Sequence, residues 1–292
     1  MLTSILAIVL VGTLYPLVTE AIGVKVSVGP PYFNPVSAIF AVPMLAVLAV
    51  GPLLRWRRDS LGRVKFLLAV PAVLALVMAV VLSLTVKVGL MPAIGLTLAP
   101  ALALASFLPL RGRDLRRTPL ATWGMVMAHF GIAVALFGMA SESAFTVERL
   151  IAARVGETVD AGPWKIKLAS VSPIAGPNWT AMEAGLEASY RGEGASVLHP
   201  QARQFWAPPQ ATTESALLTR WNGQLYTVLG DETEDGRWQL RLWWKPFAPL
   251  IWLGGLLVAL GGLLALAGRL ASDLRRLVAR DKIAYRRMRQ GR

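Results

Sequence analysis

Six long apolar blocks, nearly free of charge, constrain this chain more than any other feature. An α-helix rises about 1.5 Å per residue, so about 20 apolar residues span the roughly 30 Å hydrocarbon layer of a bilayer. The blocks run from Leu2 to about Ile22, about Ser37 to Leu54, Phe66 to Val86, Val88 to Leu110, about Leu120 to Ala140, and about Phe247 to Leu266. The first holds Pro16, lacks a basic start and an A-x-A cleavage site, and is too long for a signal-peptide core, so it is expected to be a retained span. Of the 292 residues, 55% are hydrophobic and 16% charged. An average soluble domain carries about 25% charged residues. A soluble cytosolic enzyme and a disordered chain are both excluded.

The absence of cysteine excludes disulfides, iron–sulfur clusters, thiolate zinc and Cys-based redox chemistry within the chain. The two histidines, His129 and His199, do not make a His-rich metal site. The net charge of +13 would point to nucleic acid in a soluble protein. Here the bases flank apolar blocks, so they are assigned to membrane topology and no nucleic-acid partner is expected.

Basic residues mark the cytoplasmic side of a membrane protein. Arg55, Arg57, Arg58, Arg63 and Lys65 follow the second block, and Arg111, Arg113, Arg116 and Arg117 the fourth. After the sixth come Arg269, Arg275, Arg276, Arg280, Lys282, Arg286, Arg287, Arg289 and Arg292. An even number of spans separates these segments, so they share one side. The opposite short loops hold only Lys25 and Lys87. Both termini are expected in the cytoplasm, with lipid around the spans.

The polar insert between the fifth and sixth blocks then lies outside, in the periplasm of a Gram-negative host. It reads as strands: Trp164–Val171 alternates, Ala184–Gly192 does so loosely, and Gln224–Asp231 and Gly236–Pro246 follow. Gly223, Gly230 and Asp235-Gly236 are the expected hairpin turns. The expected fold is a polytopic α-helical membrane protein of about six spans, with a small β-rich periplasmic domain inserted before the last helix. Its parts are a five-helix transmembrane region (1–140), a periplasmic β-rich domain (141–245), the last transmembrane helix (246–268) and a basic cytoplasmic tail (269–292).

His129 is the sharpest chemical feature, about midway along the fifth block. An ionisable group at membrane depth is a functional-site hypothesis by default. A neutral imidazole there either ligates haem iron or makes a structural interhelical hydrogen bond. Gly124 and Gly131 flank it and would admit a flat ring or another helix. A second axial histidine would have to come from another chain. His199 is an exposed loop histidine beside Pro200, read as inert. Glu20 stands at the outer end of the first block. Gly23–Asn34, with two prolines and the pair Tyr32-Phe33, reads as a stiff loop on the membrane surface, either an interfacial anchor or a binding element. Thr212, Thr213 and Glu214 read as a helix cap. Trp243, Trp244 and Trp252 read as an aromatic belt opening the sixth helix, whose Gly254, Gly255, Gly261 and Gly262 offer a small-residue packing face. No Ser-His-Asp set, Walker loop or paired acid site is present, so no catalytic residue is assigned.

Seven ordered stretches carry a resemblance: Val11–Leu17, Val28–Asn34, His129–Val134, Gly176–Ala184, Thr212–Leu217, Leu225–Gly230 and Lys245–Gly255. Together they resemble the carboxyl-terminal half of the CcmF family, haem lyase membrane subunits of system I cytochrome c maturation. The resemblance implies a transmembrane haem b held between two histidines on different helices. His129 matches one of them, as an axial ligand to the iron. The other ligand, and the Trp-rich segment that receives haem from the chaperone CcmE, lie in an amino-terminal half with no match in this sequence. The implied partners are that half or an equivalent subunit, CcmE, CcmH/CcmI-type apocytochrome-handling proteins and apocytochrome c. The implied role is one part of a thioether-forming lyase, not active alone. Where the family often shows a PEKRxY-like stretch, this sequence has Pro200–Phe205, which keeps the proline and arginine and loses the glutamate, lysine and tyrosine. The rival reading is a non-enzymatic transporter subunit with an accessory outer domain, which would need polar or broken helices meeting at the midplane.

Overall fold

The computed structural model describes residues 1–54 and 61–290, with the backbone alone for residues 61, 64 and 276–290. Arg55, Arg57, Arg58 and Arg292 lie outside the described residues, and so do the side chains from Arg276 onward.

Among the described residues, six helices are long and apolar enough to cross a bilayer. They are α1 (Leu2–Ala21), α2 (Pro30–Val50), α3 (Leu61–Thr85), α4 (Leu90–Phe107), α5 (Leu120–Phe145) and α6 (Pro249–Gln290). Single 3-10 turns extend α2 through Leu53 and α4 through Leu110. Prolines at positions 16, 35, 43, 71 and 100 sit inside α1 to α4 without ending them. Long apolar spans tolerate this because neighbouring groups re-satisfy the freed backbone.

Between α5 and α6 lies a two-sheet β-sandwich. Its ten strands are β1 (Val147–Ala153), β2 (Thr158–Ala161), β3 (Trp164–Gly176), β4 (Trp179–Tyr190), β5 (Ser196–Leu198), β6 (Gln201–Trp206), β7 (Pro209–Glu214), β8 (Ala216–Arg220), β9 (Gly223–Glu232) and β10 (Trp238–Pro246). One sheet has the order β1-β10-β9-β8; the other runs β2-β3-β4-β6-β7, with β5 pairing β4. The buried faces alternate as period-two strands require: Trp164, Ile166 and Leu168 from β3, Leu225 and Leu229 from β9, Leu240, Leu242 and Trp244 from β10. Trp164, Tyr190 and Trp244 meet pairwise with ring centroids 5.1–6.1 Å apart. Membrane helices feeding a β-domain before the last helix is the architecture the sequence pattern predicts.

Local expectations fail where a signal has two structural readings. The surface loop expected over Gly23–Asn34 is half helix: α2 starts at Pro30 behind the N-cap Gly29. Proline at the first helical position gives up an N–H that has no intrahelical partner anyway, so Pro30 and Pro31 start the helix instead of stiffening a loop. Trp243 and Trp244 do not open the sixth helix. Both lie in β10, and Trp244 is buried in the sandwich core. Thr212 to Glu214 cap no helix and sit in β7. Gly230 is not a turn but part of β9, where a Cβ would come within 3.0 Å of Gln239. The stretch after Leu266 continues α6 as helical backbone to Gln290.

The chain divides into two compact units: residues 1–76, 100–130 and from 259 onward, and residues 77–99 with 131–258. In the first, Gly12 of α1 is buried against α2, and a Cβ there would stand 2.6 Å from the Phe33 ring and 2.7 Å from that of Tyr32. In the second, Gly95 of α4 meets Ala140 of α5 in the same way, at 2.7 Å.

Candidate functional site

The position of α5 is set by small residues. In the first unit, Gly124 packs against the backbone of Gly261 and Ala265 of α6, Gly261 against Ala128, and Gly268 against Ala121. In the second, Gly131 packs on Gly254 and Val258, Gly254 on Ala135, and Gly138 on Ile251. Glycine and alanine recurring at three and four residues make one flat stripe on each helix, which lets the backbones approach closely. The two glycines flanking His129 therefore admit another helix, α6, and not a flat ring. Gly255 and Gly262 have open space where a Cβ would project, so only Gly254 and Gly261 of the four expected glycines form the packing face.

His129 follows Ala128 directly and is turned about 100° from it around the helix, off the stripe that α6 covers. The imidazole is half-buried, and no hydrogen bond or ion pair reaches it among the described residues. Its neighbour Phe130 meets Phe107 with ring centroids 5.3 Å apart. The structural alternative for this histidine, an interhelical hydrogen bond, finds no acceptor among the described side chains. An imidazole with both nitrogens unengaged suits axial ligation of a haem iron from one side.

A cavity of about 630 Å³ opens between α1 and the start of α2, lined by Gly12, Tyr15, Ser27, Gly29, Pro31 and Tyr32 among others. The Pro-aromatic segment thus packs on the Val11–Leu17 stretch. Glu20 lies apart from it, exposed in the last turn of α1.

In the sandwich, His199 Nδ1 stands 3.6 Å from Glu183 Oε1 and the side chain is 57% exposed. Glu183 also accepts from Gln201 Nε2 at 2.6 Å. Arg203 donates to Glu214 Oε1 at 2.9 Å and Gln201 Oε1 at 2.8 Å, and lies 4.3 Å over the Trp179 ring. His129 and His199 are not brought together into a common metal set, and the described residues hold no cluster of three or more His, Cys, Asp or Glu suited to a metal ion. At the β9–β10 turn the Thr233 hydroxyl, 2.6 Å from Asp235 Oδ1, holds that carboxyl below its ordinary range, helped by Arg237.

Lys245 Nζ reaches Glu142 Oε1 at 3.2 Å, and Phe137 packs on Phe247 at 5.5 Å. These contacts tie the end of α5 to the β10–α6 junction. The sequence reading missed both, as well as the place of Gly12 opposite Tyr32 and Phe33. A lone small residue in an apolar span was the only signal for that last contact.

The profile described as "CcmF C-terminal beta-sandwich" matches residues 144–246. The chain is 35% identical over 266 residues to the cytochrome c-type biogenesis protein CcmF of Escherichia coli (strain K12), covering 89% of this chain and 41% of that protein. It is 36% identical over 275 residues to the cytochrome c-type biogenesis protein CycK of Bradyrhizobium diazoefficiens, covering 89% and 42%. Among solved structures, a cytochrome c heme lyase CcmF superposes with a TM-score of 0.67 at 27% identity, over 89% of this chain and 43% of that one. The chain spans less than half the length of each of these relatives.

Proposed function

From the correspondence of this chain to the carboxyl-terminal part of CcmF in sequence and fold, we propose that it serves cytochrome c maturation as one component of a haem lyase complex in the bacterial inner membrane. The arginine-rich segments face the cytoplasm with both termini, and the sandwich faces the periplasm. An amino-terminal CcmF-like region or subunit completes the complex. Apocytochrome c, the haem chaperone and CcmH/CcmI-type proteins meet it on the periplasmic side.

His129 would hold a haem b through its imidazole. The observation that carries this reading is a half-buried imidazole on an apolar span, with no partner among the described residues and off the stripe that α6 covers. A bound haem supplies one-electron redox chemistry, with potential set by its axial ligands and surroundings. The chain's own part would be to hold the imidazole at one depth in the membrane, a reading that the close α5–α6 packing supports. It supplies no thiol and no nucleophile to thioether formation. The transporter reading expects broken helices at the midplane, whereas α1 to α4 continue through their prolines.

The test is His129→Ala in the complex with its amino-terminal partner, with haem measured per assembled complex. The expected result is loss of most haem b and of its low-spin absorption while the chain still inserts. His129→Gly with added imidazole is expected to restore part of the spectrum. Unchanged haem content and absorption in His129→Ala would overturn the assignment.

A further inference from the structure

The sandwich has an open edge beside a cleft. Strand β6 bonds β4 through Trp206 N–H to Asn178 O at 3.1 Å, and Ala184 N–H donates to Pro200 O at 3.0 Å. Backbone groups alternate sides along a strand. Gln201, Arg203 and Phe205 therefore turn theirs toward β7, opposite Glu214, Thr212 and Gln210. The same alternation turns the N–H and C=O groups of Ala211 and Thr213 away from β6. Strand β7 ends its sheet, and no backbone hydrogen bond between strands takes up these outward groups among the described residues.

Sheet edges are normally blunted by charge, proline or shortness. The edge strand β1 carries Glu148 and Arg149, β2 is four residues long, and β8 ends in Arg220. Strand β7 has Pro209 at its start and Glu214, held by Arg203, at its end, but its middle, Gln-Ala-Thr-Thr, carries neither charge nor proline. A cleft of about 530 Å³ opens between the two sheets here, over Met182 of β4, Ala202 of β6 and Ala211 and Thr213 of β7, and is bounded on the other sheet by Asp231 and Glu232. The one base in the lining, Arg203, is engaged by Glu214, Gln201 and Trp179. Asp231 and Glu232 are exposed and enter no ion pair among the described residues. Residues 141–246 hold 12 acidic and 10 basic side chains, against 5 and 20 in the rest of the chain. The cleft is thus a locally negative site on an otherwise basic protein.

We propose that the free edge of β7, at the mouth of this cleft, binds an extended polypeptide segment carrying basic side chains, which adds as a strand through the N–H and C=O of Ala211 and Thr213. Strand addition gives main-chain hydrogen bonds without demanding a particular sequence, and Asp231 and Glu232 select for positive charge. The bound segment needs a free strand edge of its own, which an extended stretch of chain offers along its whole length. This inference rests on the sandwich alone and not on haem ligation by His129, so either can fail without the other.

The test uses the full chain in detergent and a ten-residue peptide of alternating lysine and threonine. Binding is followed by fluorescence anisotropy and by amide hydrogen exchange over residues 209–214. The expected result is saturable binding, at least tenfold slower exchange at Ala211 and Thr213, and loss of both when alternate peptide nitrogens are methylated. Thr213→Pro deletes an outward N–H and leaves the β6–β7 ladder intact, as proline does on an exposed edge, and is expected to weaken binding at least tenfold. Asp231→Asn with Glu232→Gln is expected to weaken it severalfold and to flatten its salt dependence. Unchanged exchange in β9 and β10 checks that each variant is folded. If Thr213→Pro does not fold, the charge variant and the methylated peptide decide. Binding that survives backbone methylation, or equal binding of a glutamate–threonine peptide, would overturn the proposal.

Discussion

The spans and the sandwich treat the same apolar side chains in opposite ways. Leu225, Leu229 and Leu242 of the sandwich are fully buried, whereas Leu84 of α3 is 80% and Leu263 of α6 is 62% exposed on the chain surface. The difference lies in the solvent. In water, burying a leucine side chain stabilises a fold by about 1.5–3 kcal/mol, so the sandwich gathers most of its leucines and the rings of Trp164, Tyr190 and Trp244 into one core. In a bilayer the lipid tails are as apolar as leucine, and that driving force between helices vanishes. Close contact between backbones remains, and the chain meets it with glycine and alanine along α5 and α6. Charge divides in the same way: the excess of bases lies wholly outside the sandwich.

The largest effect that bears on this contrast is all-or-none. A reporter active only in the periplasm, fused after Gly223, is expected to give full signal, and the same reporter after Arg289 none. The reverse pattern would assign water and cytoplasm to the wrong ends of the chain. Next come leucines of equal size in the two regions. Leu242→Ala is expected to cost about 2–5 kcal/mol by leaving a cavity in a closed core, seen as a lower thermal midpoint and faster proteolysis of the sandwich. Leu263→Ala is expected to stay within about 0.5 kcal/mol, the usual range for surface positions. Similar losses at both sites would mean that α6 is covered by protein where the lipid reading leaves it bare. The smallest effect compares two glycines of the one helix. Gly254→Leu meets the backbone of Ala135 and Gly131 and is expected to cost about 1–3 kcal/mol as overpacking, while Gly255→Leu projects into open space. Disulfide trapping between cysteines placed on α5 and α6 should fall for the first and hold for the second.

Much of this architecture was legible because the signals were long. A run of about 20 uncharged residues has few alternatives to a membrane helix, and alternation such as Trp164–Val171 has few alternatives to a strand. Short signals misled. The Pro-Pro-Tyr-Phe run fits a stiff loop and a helix start equally well, and it became the first turn of α2. The Trp243-Trp244 pair fits an interfacial belt and a strand crossing from core to surface, and it became the end of β10. The candidate histidine was visible as the one imidazole in an apolar run. The stripe that α6 covers was not, because which glycines face a neighbour depends on the rotation of each helix about its axis.

The sequence by itself determined the apolar spans, the place of the inserted β-domain and the charge asymmetry, and it marked His129 as the candidate. Each of these follows from local hydropathy or from residue identity. Only the tertiary structure decided that Gly124 and Gly131 are filled by α6, that Tyr32 and Phe33 close on Gly12, and that β7 is left as an open edge beside Asp231 and Glu232. Those features join residues far apart in the chain, where local pattern carries no information. They are set by shape: a glycine accepts whatever backbone comes close enough, and an edge stays open only when no other strand reaches it.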